Sequence, residues 1–223
     1  MKQYTEEKHP KQDFQVERIA FFSDAVYAIA LTLLVIEFRP PHIEKGDSAA
    51  DIWQRVVEMK YLFGAVVFSF MLIVTYWMRH HALFKHVHNY NRQVIVANML
   101  TLFPIIFFPF TTAFFYEGSH MGQEAIIIPF RLTLVNNVLA GITMYYFYWL
   151  VMKRHKEFSY PMPAEEKKAF ELKLIIMVIS FTLVLLLSFI SIDISVWGVL
   201  PLAVYGLYIR YFSKKKPLDK KHA

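Results

Sequence analysis

Long apolar stretches separated by short polar segments run along almost the whole chain. About 20 mostly apolar residues make a helix that crosses a hydrocarbon core of about 30 Å. The pattern therefore predicts an all-α membrane protein with six transmembrane helices, over residues 19–36, 61–78, 94–116, 125–152, 174–192 and 194–212. Only Asp193 and its neighbours separate the last two, which predicts a tight helical hairpin. Because no pattern repeats between the two halves, we expect one transmembrane domain over residues 19–212, with tails at 1–18 and 213–223.

Lysine and arginine are unevenly distributed between the predicted loops. They are frequent in 79–92, in 153–173 and in both tails, whereas 117–124 and the turn at Asp193 have none. Basic loops stay on the cytoplasmic side of a membrane, so we predict that both termini are cytoplasmic. The net charge of +6 then reflects topology. Because the basic residues flank the apolar stretches and form no soluble patch, nucleic acid is not an expected partner.

Composition agrees with a membrane protein and narrows its chemistry. Hydrophobic residues make up 56% of the 223 residues and charged residues 19%, against about 25% charged in a typical soluble domain. The chain has no cysteine, which excludes thiolate metal sites and cysteine nucleophiles. The sequence contains no Gly-rich phosphate loop and no H-E-x-x-H string. We therefore predict that the protein is not an enzyme.

The first predicted span is unusual because it contains a charged residue, Asp24, next to Ser23. Charged groups inside a span are costly and indicate function by default. Successive residues of a helix are about 100° apart. On such a wheel one stripe collects Arg18, Phe22, Ala25, Ile29, Thr32, Leu33 and Ile36. Ser23 and Asp24 point away from this stripe, so Asp24 needs a hydrogen-bond donor on another helix.

Two interpretations of the stripe remain open on the residues alone. In the first, Ile29, Leu33 and Ile36 are ordinary packing surface, and the polar pair beside them fixes how the helix packs. In the second, the stripe faces a symmetry axis shared with copies of itself. Rings of isoleucine and leucine then form a narrow constriction that gates by dewetting, to which Thr32 adds hydroxyl groups.

Four histidines lie close together just after the second span, at His80, His81, His86 and His88. Histidine is the commonest metal ligand. Haem ligation in a bundle would need histidines on facing helices at membrane depth, and the other spans contain none. We therefore expect an interfacial polar cluster and no metal site.

Several further polar residues lie inside the predicted spans. Asn98 lies on the same side of the membrane as the motif of the first span, so we expect it to join a buried network there. Arg131 is expected to extend to the outer interface, with Glu117 or Glu124 as its partner. No role is assigned to Asn136 and Asn137.

The first span carries the string R-I-A-F-F-S-D-A-V from Arg18, followed by A-I-A-L-T-L-L from Ala28. This string resembles the R-x-x-x-F-S-D signature of the transmembrane protein 175 family, the endosomal and lysosomal potassium channels and their prokaryotic relatives. The string W-M-R-H-H, which begins at Trp77 and closes the second span, is similar to a Trp and His pair of the family. The resemblance covers the whole chain in the number and orientation of its spans, but its motifs lie in the first two.

The resemblance implies a homotetrameric channel with six helices per subunit, because one six-helix repeat is typical of the prokaryotic form. It implies that the first helix lines the pore. Five residues after the motif aspartate, the family has an isoleucine or leucine that seals the narrowest ring, and here this is Ile29. The next apolar layers match Leu33 and Ile36. Thr32 matches a hydroxyl position that is a candidate contributor to potassium preference.

The resemblance also implies a supporting network between the helices. We expect Trp77 and His80 or His81 to form hydrogen bonds towards the Ser23–Asp24 pair, which supplies the donor that Asp24 needs. The full set of expected network residues is Arg18, Phe22, Ser23, Asp24, Trp77, His80, His81 and Asn98.

The implied function is a leak-type cation channel in a bacterial cell membrane. Neither the family nor this chain has the T-V-G-Y-G filter of other potassium channels, so selectivity through an apolar ring should be modest. We expect potassium and caesium ions to pass better than sodium, and no cofactor besides the permeant ion. The alternatives are a secondary or proton-coupled transporter and a membrane enzyme or haem-binding electron carrier. Transporters favour ionisable residues at the midplane, whereas Asp24 and Arg131 lie near the edges of their spans.

Overall fold

A computed structural model describes residues 10–36 and 40–215 of the chain. Within these residues the fold is all helical, apart from one isolated β-bridge between Val87 and Ser159. Its α-helices are α1 (Pro10–Ile36), α2 (Ala49–Glu58), α3 (Lys60–Phe84), α4 (Arg92–His120), α5 (Gln123–Trp149), α6 (Ala164–Leu187), α7 (Ile192–Ser195) and α8 (Leu200–Lys215). A π-helical turn, Leu150–Arg154, extends α5.

Among the described residues, five helical segments have the length and composition to cross a membrane. They are Gln15–Ile36, Ala49–Phe84, Arg92–Ser119, Glu124–Arg154 and Ala164–Leu187. These segments confirm the first five predicted spans. Each begins before its predicted start because polar residues continue the helix there, whereas the fifth ends at Leu187, five residues before its predicted end at 192.

The sixth predicted span is not one continuous helix in the structure. The apolar segment Ile192–Leu207 is shorter than the other five. It consists of α7, a 3-10 turn over Val196–Val199 and the first part of α8. This turn packs closely against α6, since a Cβ atom on Gly198 would lie 2.5 Å from the backbone nitrogen of Val184. The two segments pack against each other, as the predicted hairpin requires, but its second arm is interrupted.

One face of α1 packs into the bundle against α3 and α4. Its buried residues recur at helical spacing, at Val16, Ser23, Tyr27, Ala30 and Leu34. The last three belong to a core cluster that also contains Ile73 of α3 and Ile105 of α4. The opposite face of α1 has no such packing and is exposed.

Loops gather at the end of the bundle where α3 ends and α4 begins. The backbone N–H of Tyr160 donates to the carbonyl of His86 over 2.7 Å. The side chains of His155 and Gln93 lie 2.9 Å apart, between Nε2 and Oε1. These contacts join the regions 79–93 and 153–173, which carry three and six lysine or arginine residues, and we call this the basic end of the bundle.

Arg131 lies at the opposite end, where its partner differs from the prediction. Its Nη2 donates to the backbone carbonyl of Ser188 over 2.8 Å, and its guanidinium lies 4.1 Å from the ring centroid of Phe189. The predicted pairing with Glu117 or Glu124 is therefore wrong. The reason is that α6 ends beside Arg131, and the last carbonyls of a helix carry partial negative charge.

Candidate functional site

A chain of hydrogen bonds joins α3, α4 and α1 inside the bundle. Nε2 of His80 lies 2.7 Å from Oδ1 of Asn98, and Nδ2 of Asn98 donates to Oγ of Ser23 over 2.9 Å. Oγ of Ser23 in turn donates to the carbonyl of Ile19 over 2.9 Å. Because an amide oxygen only accepts, Nε2 of His80 carries the hydrogen and donates. The three side chains that form this chain are fully buried, where polar groups need such partners.

A second connection between α1 and α3 lies beside the first. The indole nitrogen of Trp77 donates to Oδ1 of Asp24 over 2.9 Å. This bond confirms that Asp24 takes its donor from another helix. The ring of His81 stacks on the indole, with 5.5 Å between centroids. Together the two connections fix the rotation of α1 about its own axis.

Aromatic rings enclose the histidine at the centre of this network. The ring of His80 lies 5.5 Å from that of Tyr27 on α1, 4.7 Å from that of Phe84 and 5.7 Å from that of Phe147 on α5. Sequence reasoning missed Tyr27 and Phe147. Tyr27 follows Ser23 by four residues, so helical spacing places both on one face and could have indicated it.

The predicted pore residues lie on the face of α1 that points away from the network. Ile29 is 57% exposed, Leu33 38% and Ile36 67%. Thr32 lies on the same exposed face and donates its hydroxyl hydrogen to the carbonyl of Ile29 over 2.8 Å. The threonine oxygen therefore keeps its lone pairs free for a cation or for water. The helical wheel correctly separated this face from Ser23.

Two of the expected network residues stay outside the network of this chain. Arg18 and Phe22 lie on the exposed side of α1, where they line a cavity of about 320 Å³ together with Tyr90 and Met99. The structure thus brings together Ser23, Asp24, Trp77, His80, His81 and Asn98. That these residues support a channel stays a prediction.

The structure also gives contacts to the two asparagines without an assigned role. Nδ2 of Asn136 donates to the carbonyl of Pro104 over 3.0 Å, and the hydroxyl of Tyr76 donates to the backbone carbonyl of Asn137 over 2.9 Å. These contacts tie α5 to α4 and to α3. In the described parts of the chain, no three His, Asp or Glu side chains form a group that could hold a metal ion.

The sequence around this network matches a known family. Residues 18–109 match the family described as endosomal/lysosomal potassium channel TMEM175. A potassium channel of Streptomyces collinus is 25% identical over 195 residues, which cover 87% of this chain and 90% of that protein. A potassium channel of Chryseobacterium is 33% identical over 109 residues, which are 49% of this chain and 53% of that protein.

A solved structure agrees in fold over nearly its whole length. It is the crystal structure of a lysosomal potassium-selective channel TMEM175 homolog from Chamaesiphon minutus. The likeness has a TM-score of 0.67 and 26% sequence identity, and it covers 86% of this chain and 95% of that one. The chain is therefore similar to TMEM175 proteins in sequence over residues 18–109, and similar to the solved relative in fold over most of its length. The stretch that matches the TMEM175 family contains the whole hydrogen-bond network and the exposed face of α1.

Proposed function

We propose that the protein is a potassium-preferring cation channel in which four copies surround a central pore and α1 of each copy lines it. The observation that carries this proposal is the division of α1 into two faces. One face is held by buried hydrogen bonds, and the other presents Ile29, Leu33 and Ile36 outward at the depth of the membrane. A pore-lining helix requires this division, because one face must stay fixed while the other faces the axis.

The names of the relatives support the choice of ion. Those from Streptomyces collinus and Chryseobacterium are both named potassium channels, and the solved relative is described as potassium-selective. The five apolar helices and the match to this family support an integral membrane protein, and the names of the relatives, which are those of ion channels, support a protein that is not an enzyme.

The proposed pore works through rings of apolar side chains. Four copies of Ile29 form the narrowest ring, with further rings of Leu33 and Ile36. Such a constriction excludes water when it is narrow and conducts when it is wide enough to be wetted. The Thr32 hydroxyls lie next to the seal, where their oxygen atoms replace part of the hydration shell of the ion. A weakly hydrated cation loses its shell more easily, so potassium and caesium pass better than sodium.

The proposed orientation places the basic end of the bundle, and both termini, in the cytoplasm. The membrane is the cell membrane of a bacterium, in keeping with the sources of the relatives. Ser23, Asp24, Trp77, His80 and Asn98 then lie on the cytoplasmic side of the seal, where they set the direction in which Ile29 points.

Flux into liposomes tests the proposed function. The purified full chain is reconstituted, and potassium uptake down a gradient is compared with that of empty liposomes and with sodium and caesium uptake. Light scattering of the detergent-solubilised protein gives the number of copies. The proposal predicts passive potassium flux, a smaller sodium flux and a tetramer. Absence of flux above empty liposomes contradicts it, and saturable transport by a monomer or dimer favours the secondary transporter instead.

A further inference from the structure

Two cavities lie on either side of α1 at the basic end of the bundle. One, of about 400 Å³, is lined by Glu17, Phe21 and Asp24 of α1 and by the end of α3. The other, of about 320 Å³, is lined by Arg18 and Phe22 of α1 and by the start of α4. Glu17 and Arg18 are therefore consecutive in α1 but line cavities on opposite flanks of the helix.

The α1 residues of the two flanks carry opposite charges at nearly the same height, with Glu17 and Asp24 beside one cavity and Arg18 beside the other. Lys85, which follows α3, also lines the Glu17 cavity. Neighbouring residues on a helix differ by about 1.5 Å in height and do not face each other, so Glu17 and Arg18 of one chain do not pair. Neither side chain forms an ion pair with the described side chains of its own chain. Both are exposed, as are Phe21 at 67% and Phe22 at 53%. Each flank thus offers a charge, an aromatic ring and a cavity that none of the described residues fills.

A ring of identical subunits brings unlike flanks together. In a head-to-tail cyclic assembly, one flank of each copy contacts the opposite flank of the next copy. Rotation about the membrane normal keeps every residue at its own height. In the tetramer of the proposed function, on which this inference rests, the Arg18 flank of one copy therefore meets the Glu17 flank of its neighbour.

We propose that Arg18 of each copy pairs with Glu17 of the adjacent copy, so that a ring of four ion pairs closes the α1–α1 contacts at the basic end. Phe21 of one copy and Phe22 of the next pack against each other beside each ion pair. The partner that fills each cavity is thus a second copy of this chain. This pairing also explains why Arg18 and Phe22 stay outside the network within one chain.

The pairing has a consequence for conduction. Arg18 lies on the same stripe of α1 as the proposed pore residues, so four copies would present four guanidinium groups near the cytoplasmic mouth. Unpaired, these charges would repel an approaching cation. A carboxylate from the adjacent copy neutralises each of them. The ion pairs therefore hold the tetramer together and keep its mouth open to potassium ions.

Charge reversal tests the pairing in the full-length protein. Glu17→Arg and Arg18→Glu each place like charges together, and the double variant Glu17→Arg/Arg18→Glu restores every pair with its signs exchanged. We expect each single change to raise the dissociation constant of the tetramer by about fivefold or more, and the double variant to return to within about twofold of the unmodified chain. Lys168→Glu is the control, because Lys168 is exposed on α6 and lines neither cavity. This control should leave the tetramer intact.

Cross-linking gives a second measurement that does not depend on assembly strength. The chain has no cysteine, so Glu17→Cys/Arg18→Cys introduces the only thiols. Mild oxidation of this variant should yield covalent dimers, trimers and tetramers. The control is Arg18→Cys/Met71→Cys, which places the second thiol at an exposed position of α3. The control should yield no covalent oligomers.

Each outcome bears on one proposal or the other. If the unmodified chain is a tetramer but the single reversals assemble normally and no cross-links form, the ion pair is wrong and the proposed channel stands. A double variant as weak as the two single changes combined also overturns the pairing. If the unmodified chain is a monomer, the proposed assembly fails and the pairing fails with it.

Discussion

The indole nitrogen of Trp77 and the carboxylate of Asp24 are joined by a 2.9 Å hydrogen bond between α3 and α1. Asp24 precedes Ile29 by five residues, which is about 140° around the helix. A contact that holds Asp24 against α3 therefore turns Ile29 away from the bundle. The network and the proposed seal lie on two faces of one helix. A substitution in the network that lets α1 rotate should therefore change the direction in which Ile29 points.

Removal of the indole donor should weaken the fold more than it alters ion preference. Trp77→Phe leaves the half-buried Asp24 carboxylate without its partner, so we expect a loss of about 1 to 3 kcal/mol in the free energy of unfolding. Asp24→Ala should lower the yield of tetramer for the same reason. Thermal unfolding in detergent measures the first effect and sizing the second.

The matched control is Trp53→Phe, because Trp53 of α2 is 67% exposed. It should leave the unfolding temperature unchanged. Equal stability of the Trp77 and Trp53 variants would show that the indole hydrogen bond does not anchor α1.

Asn98 should be the most sensitive position of the network, because its amide bonds to two helices at once. Asn98→Ala leaves His80 without its acceptor and Ser23 without the hydrogen bond that it accepts, which we expect to lower stability by about 2 to 4 kcal/mol. His80→Phe in the Asn98→Ala background should then add less than it does alone, because the shared bond is already gone. Additive effects in this double-mutant cycle would contradict a coupled network.

The close approach of Gly198 to α6 predicts a strong dependence on side-chain size. Gly198→Ala places a methyl group 2.5 Å from the backbone nitrogen of Val184, so helix and turn must separate. We expect a loss of about 1 to 3 kcal/mol in stability. Gly64→Ala is the control, since a Cβ there meets nothing within 4 Å and alanine favours helix. If both variants unfold at the same temperature, the close packing does not contribute.

Periodicity was sufficient to predict the two faces of α1. The wheel placed Ser23 away from the stripe that contains Ile29 and Leu33, and the structure buries the first and exposes the other two. The need of Asp24 for a donor on another helix followed from the high energy of an unpaired charge in a membrane. Both predictions rest on the spacing of residues along a helix and on the polarity of their side chains, which the sequence contains.

Contacts to backbone atoms were not predictable in the same way. Arg131 bonds to the carbonyl of Ser188, and Asn136 to that of Pro104. Every residue has a carbonyl group, so residue type does not indicate which one lies close to a given donor. The close packing of Gly198 was missed for a related reason, because only the approach of the Val184 backbone requires a glycine there.

A polar residue at the seal should make the pore easier to wet. Ile29→Asn replaces an apolar ring with amides, so we expect a higher potassium conductance and a smaller preference for potassium over sodium. Single-channel recording in a planar bilayer measures both. Ile179→Asn is the control, because Ile179 is exposed on α6, away from α1, and its substitution should leave conductance unchanged. Unchanged currents in the Ile29 variant would remove Ile29 from the seal.

The central claim is that four copies of Ile29 meet on the pore axis, and a single thiol tests it most directly. The chain has no cysteine, so Ile29→Cys gives one reporter per copy without background. Four thiolates on one axis form a site for a soft cation such as Cd²⁺, which would then occupy the path of the ion. The measurement is the potassium current of reconstituted Ile29→Cys before and after Cd²⁺, with Ile179→Cys as the control. The account predicts block of the Ile29→Cys current alone, and a conducting Ile29→Cys channel that Cd²⁺ leaves unaffected would contradict it.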